Sequence, residues 1–251
     1  MVELKLEKVF NFQNDRNEHT ILINKVCNAH LFFILNIIYK YFVIFKWKGN
    51  SMKPIKIGIA GLGNVGEEVA YQLIKGFRVQ KNLFQIELVA VSARSKSKKR
   101  KVDINNLKFF DNPTDMVLDN NIDVIVELIG GDEGVAKDLC FSALKNNKAV
   151  ITANKALIAK YGKELAEIAE EKKLFFSFEA SVAGGIPILK LIREGLIVND
   201  ITKLTGILNG TANYILSEME KEQKSFDIVL KEAQKKGFAE ADPSFDIDGI
   251  D

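Results

Sequence analysis

The stretch Ile55-Lys56-Ile57-Gly58-Ile59-Ala60-Gly61-Leu62-Gly63-Asn64-Val65-Gly66-Glu67-Glu68-Val69-Ala70 decides the fold. Isoleucine at every second position from Ile55 to Ile59 has the period of a strand. The turn that follows, Gly61-Leu62-Gly63-Asn64-Val65-Gly66, is G-x-G-x-x-G. Placed directly behind a strand and directly before a helical stretch, that spacing marks a dinucleotide site. The first glycine permits the tight turn, the second lets backbone approach a pyrophosphate, and the third lets helix and strand pack closely. The helix N-terminus adds partial positive charge for the phosphates. Gly61, Gly63, Asn64, Val65 and Gly66 are the candidate cofactor-binding residues of this turn.

The alternation continues downstream. Short apolar, β-branched or aromatic runs at 86–91, 122–128, 149–152 and 174–178 read as strands. Between them, 67–75, 135–146 and 156–172 read as helices. In the last of these, Leu157, Tyr161, Leu165 and Ile168 recur at helical spacing with charges on the other face. Strands alternating with helices predict an α/β fold, a Rossmann-type doubly wound parallel sheet over residues 52–178. After Phe178 the texture changes. Ala183-Gly184-Gly185-Ile186-Pro187 is a turn region, followed by a helix over 188–196 and a strand over 203–208. Asn209-Gly210-Thr211 caps a helix over 212–220, and Ser225 caps another over 226–236 that ends at Gly237. Residues 179–251 are expected to form a partial α+β substrate and dimerisation domain.

The 251 residues are 47% hydrophobic and 27% charged, as in globular chains, and long enough for a real core. A net charge of +2 gives no argument for nucleic acid. Two cysteines, Cys27 and Cys140, cannot build a disulfide scaffold, which points to a reducing, cytoplasmic compartment. Residues 1–51 differ from the rest. They hold nine of the 23 aromatic residues, both histidines (His19 and His30) and the only tryptophan. Within them 31–45 is apolar except for Asn36 and Lys40, short of the ~20 residues a spanning helix needs. Lys46-Trp47-Lys48 follows, where a signal peptide would place small residues. We expect 1–51 to be upstream sequence attached to a fold that begins near Met52. A membrane anchor and a folded extension are the alternatives. Without 1–51 there is no histidine, which excludes Ser-His-Asp triads and His-ligated zinc. Acid–base work falls to Lys, Asp, Glu, Tyr or Cys.

The end of the second strand bears on cofactor choice. An acidic residue there would bond a ribose 2′-hydroxyl. The chain instead reads Ser92-Ala93-Arg94-Ser95-Lys96-Ser97-Lys98-Lys99-Arg100-Lys101, with no carboxylate before Asp103. Arg94 stands where a guanidinium could meet a 2′-phosphate in bidentate fashion. NADP is the expected cofactor, NAD the alternative, and a solvated basic loop the plain reading of the run. No aromatic platform accompanies these charges, so a nucleic-acid partner is not expected.

Four further segments carry chemistry together. They are Ile151-Thr152-Ala153-Asn154-Lys155, Glu179-Ala180-Ser181-Val182-Ala183-Gly184-Gly185-Ile186-Pro187, Gly206-Ile207-Leu208-Asn209-Gly210-Thr211-Ala212-Asn213-Tyr214, and Gly237-Phe238-Ala239-Glu240-Ala241-Asp242-Pro243 running to Asp248-Gly249-Ile250-Asp251. With the glycine turn they resemble homoserine dehydrogenase in order and spacing from Met52 to Asp251. The resemblance implies interconversion of L-homoserine and L-aspartate 4-semialdehyde with NAD(P)(H), a step toward threonine and methionine, by a homodimer acting on a small-molecule substrate. It implies that Lys155 lies beside nicotinamide and substrate, either as an acid–base group or as a fixed cation for the substrate α-carboxylate. Lys155 is thereby a candidate for catalysis, substrate binding and cofactor binding at once. Glu240 would meet the substrate α-ammonium, and Asp251 would orient the reacting hydroxyl or a water. A calcium loop is the competing reading of 238–251, but its spacing fails the D-x-D-x-D-G pattern. Glu179, Val182, Gly184 and Ile186 match the family's monovalent-cation site, usually sodium. The family pattern continues past its final aspartate with small residues and a lysine assigned to proton transfer, whereas this chain stops at Asp251. The expectation is a C-terminally truncated enzyme. A non-catalytic NADP-binding remnant, or another NAD(P)-linked oxidoreductase on the same nucleotide domain, are the alternatives.

Overall fold

A computed structural model of the chain describes residues 54–76, 86–184, 186–206, 209–236, 239 and 243–244. The expectations for 1–51, including the apolar run 31–45, lie outside the described residues. Two compact units are present, one ending at Ile197 and the other beginning at Val198.

The first unit is built on a six-stranded sheet. Its strands are β1 (Ile55–Ala60), β2 (Ile86–Ser92), β3 (Lys108–Phe110), β4 (Val124–Glu127), β5 (Ala149–Thr152) and β6 (Phe176–Ser177). Their order is β3-β2-β1-β4-β5-β6, and every pairing is parallel. That is the order of a doubly wound dinucleotide fold, with its direction reversing between β1 and β4. The sequence-based α/β reading therefore holds. Three helices cover the sheet: α1 (Asn64–Lys75), α2 (Val135–Lys145) and α3 (Lys155–Glu171).

The period of two in the strands explains the two layers of core. Ile57, Ile59, Val124 and Val126 share one cluster with Val69, Ala70 and Leu73 of α1. Ala60 and Ile125, one residue out of phase, share the other with Leu139 and Leu144 of α2 and with Leu157 and Leu165 of α3. Ile57, Ile59 and Ile125 are wholly buried, each such side chain contributing about 1.5–3 kcal/mol of burial. Strands buried on both faces read as continuous apolar runs, as β4 and β5 do.

The structure adds two elements that the sequence reading left out. β3 is a three-residue edge strand, and a 3₁₀ turn over Pro113–Leu118 follows it. Asn112 caps that turn, its side chain accepting from Thr114 N at 3.2 Å, with Pro113 in the first turn. Boundaries shift elsewhere: β4 begins at Val124 rather than at 122, and α1 begins at Asn64 within the glycine turn rather than at 67.

After β6 the chain makes a 3₁₀ turn (Glu179–Ser181) and then α4, a short helix (Ile188–Lys190) continued by a π turn (Leu191–Gly195). In the second unit the described elements are α5 (Gly210–Glu222) and α6 (Phe226–Lys235). Asn209 Oδ1 accepts from Ala212 N at 2.6 Å and caps α5 as expected; Ser225 occupies the N-cap of α6 without a side-chain cap bond. Ile215, Val229, Ala233 and Ala239 make a small core. The strand expected over 203–208 is not formed at 203–206, and positions 207 and 208 lie outside the described residues. Among the described residues no helix is long and apolar enough to cross a membrane.

Candidate nucleotide site

The site grows from the carboxyl ends of β1 and β4, at the switch point of the sheet. Gly61 has φ +100°, and a Cβ there would stand 2.5 Å from Leu128 O. Its N–H donates to Ser92 O at 2.9 Å, and Leu128 N donates to Ala60 O at 2.8 Å, which pins the turn between β2 and β4. At Gly66 a Cβ would fall 1.8 Å from Gly61 O, so the third glycine is what lets α1 sit against the turn. Gly63 is different. Its φ is −77°, which any residue adopts, and a Cβ there would meet no atom within 4 Å. Neither backbone strain nor protein packing calls for glycine at this position. A phosphate group approaching the N-terminus of α1 would.

Beside the turn lies a cleft of about 750 Å³, within the usual range for small-molecule sites. Gly61, Leu62 and Gly63 form one wall, and residues 128–130 with Glu133, Val135 and Ala136 form another. Arg94, Ser95, Lys98 and Arg100 close the side beyond β2. Arg94, the candidate from the sequence, lines this cleft together with Lys98 and Arg100. This basic segment is tied down through Lys101. Its backbone N–H donates to Glu67 of α1, and its ammonium pairs with Glu68. Burial pushes the Glu68 carboxyl up, but hydrogen bonds from Lys101 and Gln72 outweigh it and hold the group below its ordinary value.

A buried carboxylate that the sequence reading missed holds the ends of β4 and β5 together. Glu127 is wholly buried. Its Oε1 accepts from Ile129 N at 2.7 Å and Gly130 N at 3.1 Å, and its Oε2 accepts from the Thr152 hydroxyl at 2.5 Å. Thr152 Oγ1 in turn accepts from Asn154 N at 3.0 Å. Asn154 donates from Nδ2 to Gly131 O at 2.6 Å, and its Oδ1 caps α3 by accepting from Leu157 N at 3.1 Å. Lys155 is the first residue of α3, so this network fixes the backbone from which Lys155 projects. The signal in the sequence was a carboxylate ending an apolar strand just before Gly130-Gly131.

The far end of the same loop is tied by Glu133. It accepts from Lys160 at 2.5 Å, from the Tyr161 hydroxyl, and from Lys137 at 3.0 Å. These donors, Lys160 first, draw its carboxyl down to about 2. Cys140 is a poor nucleophile, because burial pushes its thiol well above its ordinary value.

Glu179, Val182, Gly184 and Ile186 fall in one turn. Glu179 is 8% exposed and accepts from Lys190 N at 3.2 Å, with no cationic side chain paired to it among the described residues. Ala183 and Gly184 take positive φ, 56° and 57°. No cluster of three or more His, Cys, Asp or Glu side chains occurs among the described residues. Glu240 and Asp251 lie outside the described residues.

Comparison with known proteins adds a family to this geometry. The family "Homoserine dehydrogenase, NAD binding domain" matches residues 61–179, and "Homoserine dehydrogenase" matches residues 187–251. A homoserine dehydrogenase of Neisseria gonorrhoeae is 45% identical over 202 residues, covering 80% of this chain and 46% of the relative. The crystal structure of a homoserine dehydrogenase from Thiobacillus denitrificans is 46% identical with a TM-score of 0.70, over 80% of this chain and 46% of that one. A hyperthermophilic archaeal homoserine dehydrogenase in complex with NADPH is 28% identical with a TM-score of 0.67, over 79% of this chain and 66% of that one. The chain spans about half the length of the curated relatives it matches. Two successive family matches over the glycine turn and the segments beyond it, with relatives near 45% identity, establish that the chain belongs to the homoserine dehydrogenase family.

Proposed function

We propose that the chain binds an NADP-type dinucleotide at the β1–β4 switch point and carries the nucleotide half, with part of the substrate half, of an enzyme interconverting L-homoserine and L-aspartate 4-semialdehyde. The observation that carries the proposal is Gly63, a glycine required by neither its φ nor its protein neighbours. The residues present fit the cofactor. Gly61 to Gly66 and the first turn of α1 would hold the pyrophosphate, and Arg94 with Ser95 and Lys98 would meet a 2′-phosphate. When bound, the nicotinamide supplies or accepts a hydride at the terminal carbon of the substrate. Titrating the chain with NADPH, followed by nicotinamide fluorescence, tests the nucleotide reading: saturable binding is expected, and its absence sinks the proposal.

The remaining work belongs to side chains. Lys155 opens α3, where a cation gains nothing from the helix dipole and the first turn has no acidic residue. Two roles suit it: exchanging the proton of the substrate hydroxyl, or holding the α-carboxylate. Glu240 would hold the α-ammonium, since an amino-acid substrate requires an anion there, and Asp251 would orient the reacting hydroxyl. In an enzyme completed with the segment its longer relatives carry, Lys155→Ala is expected to lower homoserine-dependent NADP⁺ reduction by about 100-fold or more while leaving NADPH binding intact. Lys155→Arg separates the two roles. Recovery of KM without kcat marks the proton, and recovery of both marks the fixed charge. Undiminished turnover in Lys155→Ala would end both.

Glu179, with carbonyl groups of Val182, Gly184 and Ile186, is proposed to hold a monovalent cation, sodium by preference. One carboxylate with backbone oxygens suits a hard ion, and the lack of a cationic partner for Glu179 among the described residues supports it. Replacing tetramethylammonium by sodium at constant ionic strength is expected to raise the thermal midpoint. An unchanged midpoint removes the site.

A further inference from the structure

The basic segment 94–101 is not uniformly disposed. Lys101 turns to α1 and pairs with Glu68, and Lys96 lies 5.7 Å over the Phe109 ring. Arg94, Lys98 and Arg100 instead line the cleft, and among the described residues none of the three is joined to a carboxylate. Of the two carboxylates lining the same cleft, Glu133 is already paired with Lys137 and Lys160, which leaves Asp111 beside three cations in the lining.

Arg100 spends its donors in an unusual way. One terminal nitrogen donates to Lys98 O at 3.1 Å and Lys96 O at 3.3 Å, and the other donates to Ser95 O at 2.7 Å. Its Nε is buried without a partner. The loop is thus wound around one guanidinium by three of its own carbonyls. A planar fork can span three carbonyls in this way, whereas an ammonium gathers its acceptors about a single point. Among the described residues the partners of Arg100 are carbonyl oxygens and no carboxylate, and the residue lines the cleft.

We infer that Arg100 sets the choice between a phosphorylated and an unphosphorylated adenosine ribose, by folding residues 95–98 about its guanidinium so that Arg94, Ser95 and Lys98 stand together on the cleft wall. The inference rests on the dinucleotide reading above and deepens it. Arg100 is a positioning residue: it acts on a phosphomonoester dianion through the loop it winds. Its loss should cost the 2′-phosphate its site and leave the pyrophosphate site on α1 untouched.

The test is the ratio of NADH to NADPH dissociation constants, read by nicotinamide fluorescence on the full chain. Wild type is expected to favour NADPH by about tenfold or more. Arg100→Met and Arg100→Lys are both expected to bring that ratio to within about threefold of unity, with NADH affinity held within about twofold. Arg94→Met, which removes a cleft cation without touching the fork, is expected to weaken NADPH selectively as well. Retention of the wild-type ratio in Arg100→Lys shows that charge alone suffices and overturns the inference. So does a wild-type ratio near one, or equal loss of both nucleotides in Arg100→Met, which would assign Arg100 to the fold. Failure of wild type to bind either nucleotide overturns the dinucleotide reading itself, a result distinct from the others.

Discussion

Gly63→Val is expected to weaken NADPH binding at least about 100-fold while the thermal midpoint moves by only a few degrees. The three glycines of the turn look alike in sequence and differ in what they face. A Cβ at Gly66 would overlap Gly61 O at 1.8 Å, and one at Gly61 would press on Leu128 O at 2.5 Å in a backbone of φ +100°. Substitutions at those two positions disturb the junction of strand and helix itself, and their effect on binding cannot be told from their effect on the fold. Gly63 separates the two. Valine there meets open space on the protein side and adopts φ −77° without strain. Its cost to the chain is that of a poor N-cap residue, about 0.5–1 kcal/mol. Its branched side chain would occupy the space where backbone is meant to approach a pyrophosphate. Fluorescence titration with NADPH and thermal unfolding measured on the same sample check both halves. Undiminished affinity would mean that the phosphates do not lie over Gly63.

The parts of this site legible in the sequence are those whose chemistry is local. The run from Ile55 to Gly66 combines a period of two, a fixed glycine spacing and a following helix, and each feature constrains a few adjacent residues. Its one misreading, the start of α1 at Asn64, arises because Asn64-Val65 reads as turn chemistry although its backbone is already helical. What was not legible depends on distant partners. Lys108-Phe109-Phe110 becomes an edge strand only because β2 offers Ala90 to Ser92 as a parallel ladder. Conversely, 203–206 has strand composition without being a strand, since a strand exists only where a neighbour supplies hydrogen bonds. Arg94 was readable from its place after β2. Arg100 was not, because its three carbonyl partners are set by how the loop folds back.

Glu127 was the least legible residue of all, and its removal is expected to have the largest effect on stability. Glu127→Ala should destabilise the chain by about 4 kcal/mol, from two orphaned N–H groups, one orphaned hydroxyl and the cavity left behind. The reasoning follows the donors. Ile129 N, Gly130 N and the Thr152 hydroxyl all point at this carboxylate, which like Thr152 is wholly buried although residues 129 and 130 border the cleft, and none has an alternative acceptor in the network. Glu127→Gln keeps the shape and one oxygen. That oxygen can still serve the two N–H groups, but the amide then offers N–H to Thr152, whose oxygen already accepts from Asn154 N. The hydroxyl proton must turn elsewhere, so a smaller loss of about 1–2 kcal/mol is expected. The order Ala worse than Gln is the signature of unmet donors; a purely steric role would make the near-isosteric Gln harmless. Urea unfolding of the three proteins reads the difference. The damage should also be visible at the cleft, because Glu127 and Asn154 together fix residues 129–131 and the first turn of α3. NADPH affinity is accordingly expected to fall in Glu127→Ala even at temperatures where the chain remains folded. A variant within 1 kcal/mol of wild type would show that the loop is held by other contacts, and that Lys155 does not depend on Glu127 for its place.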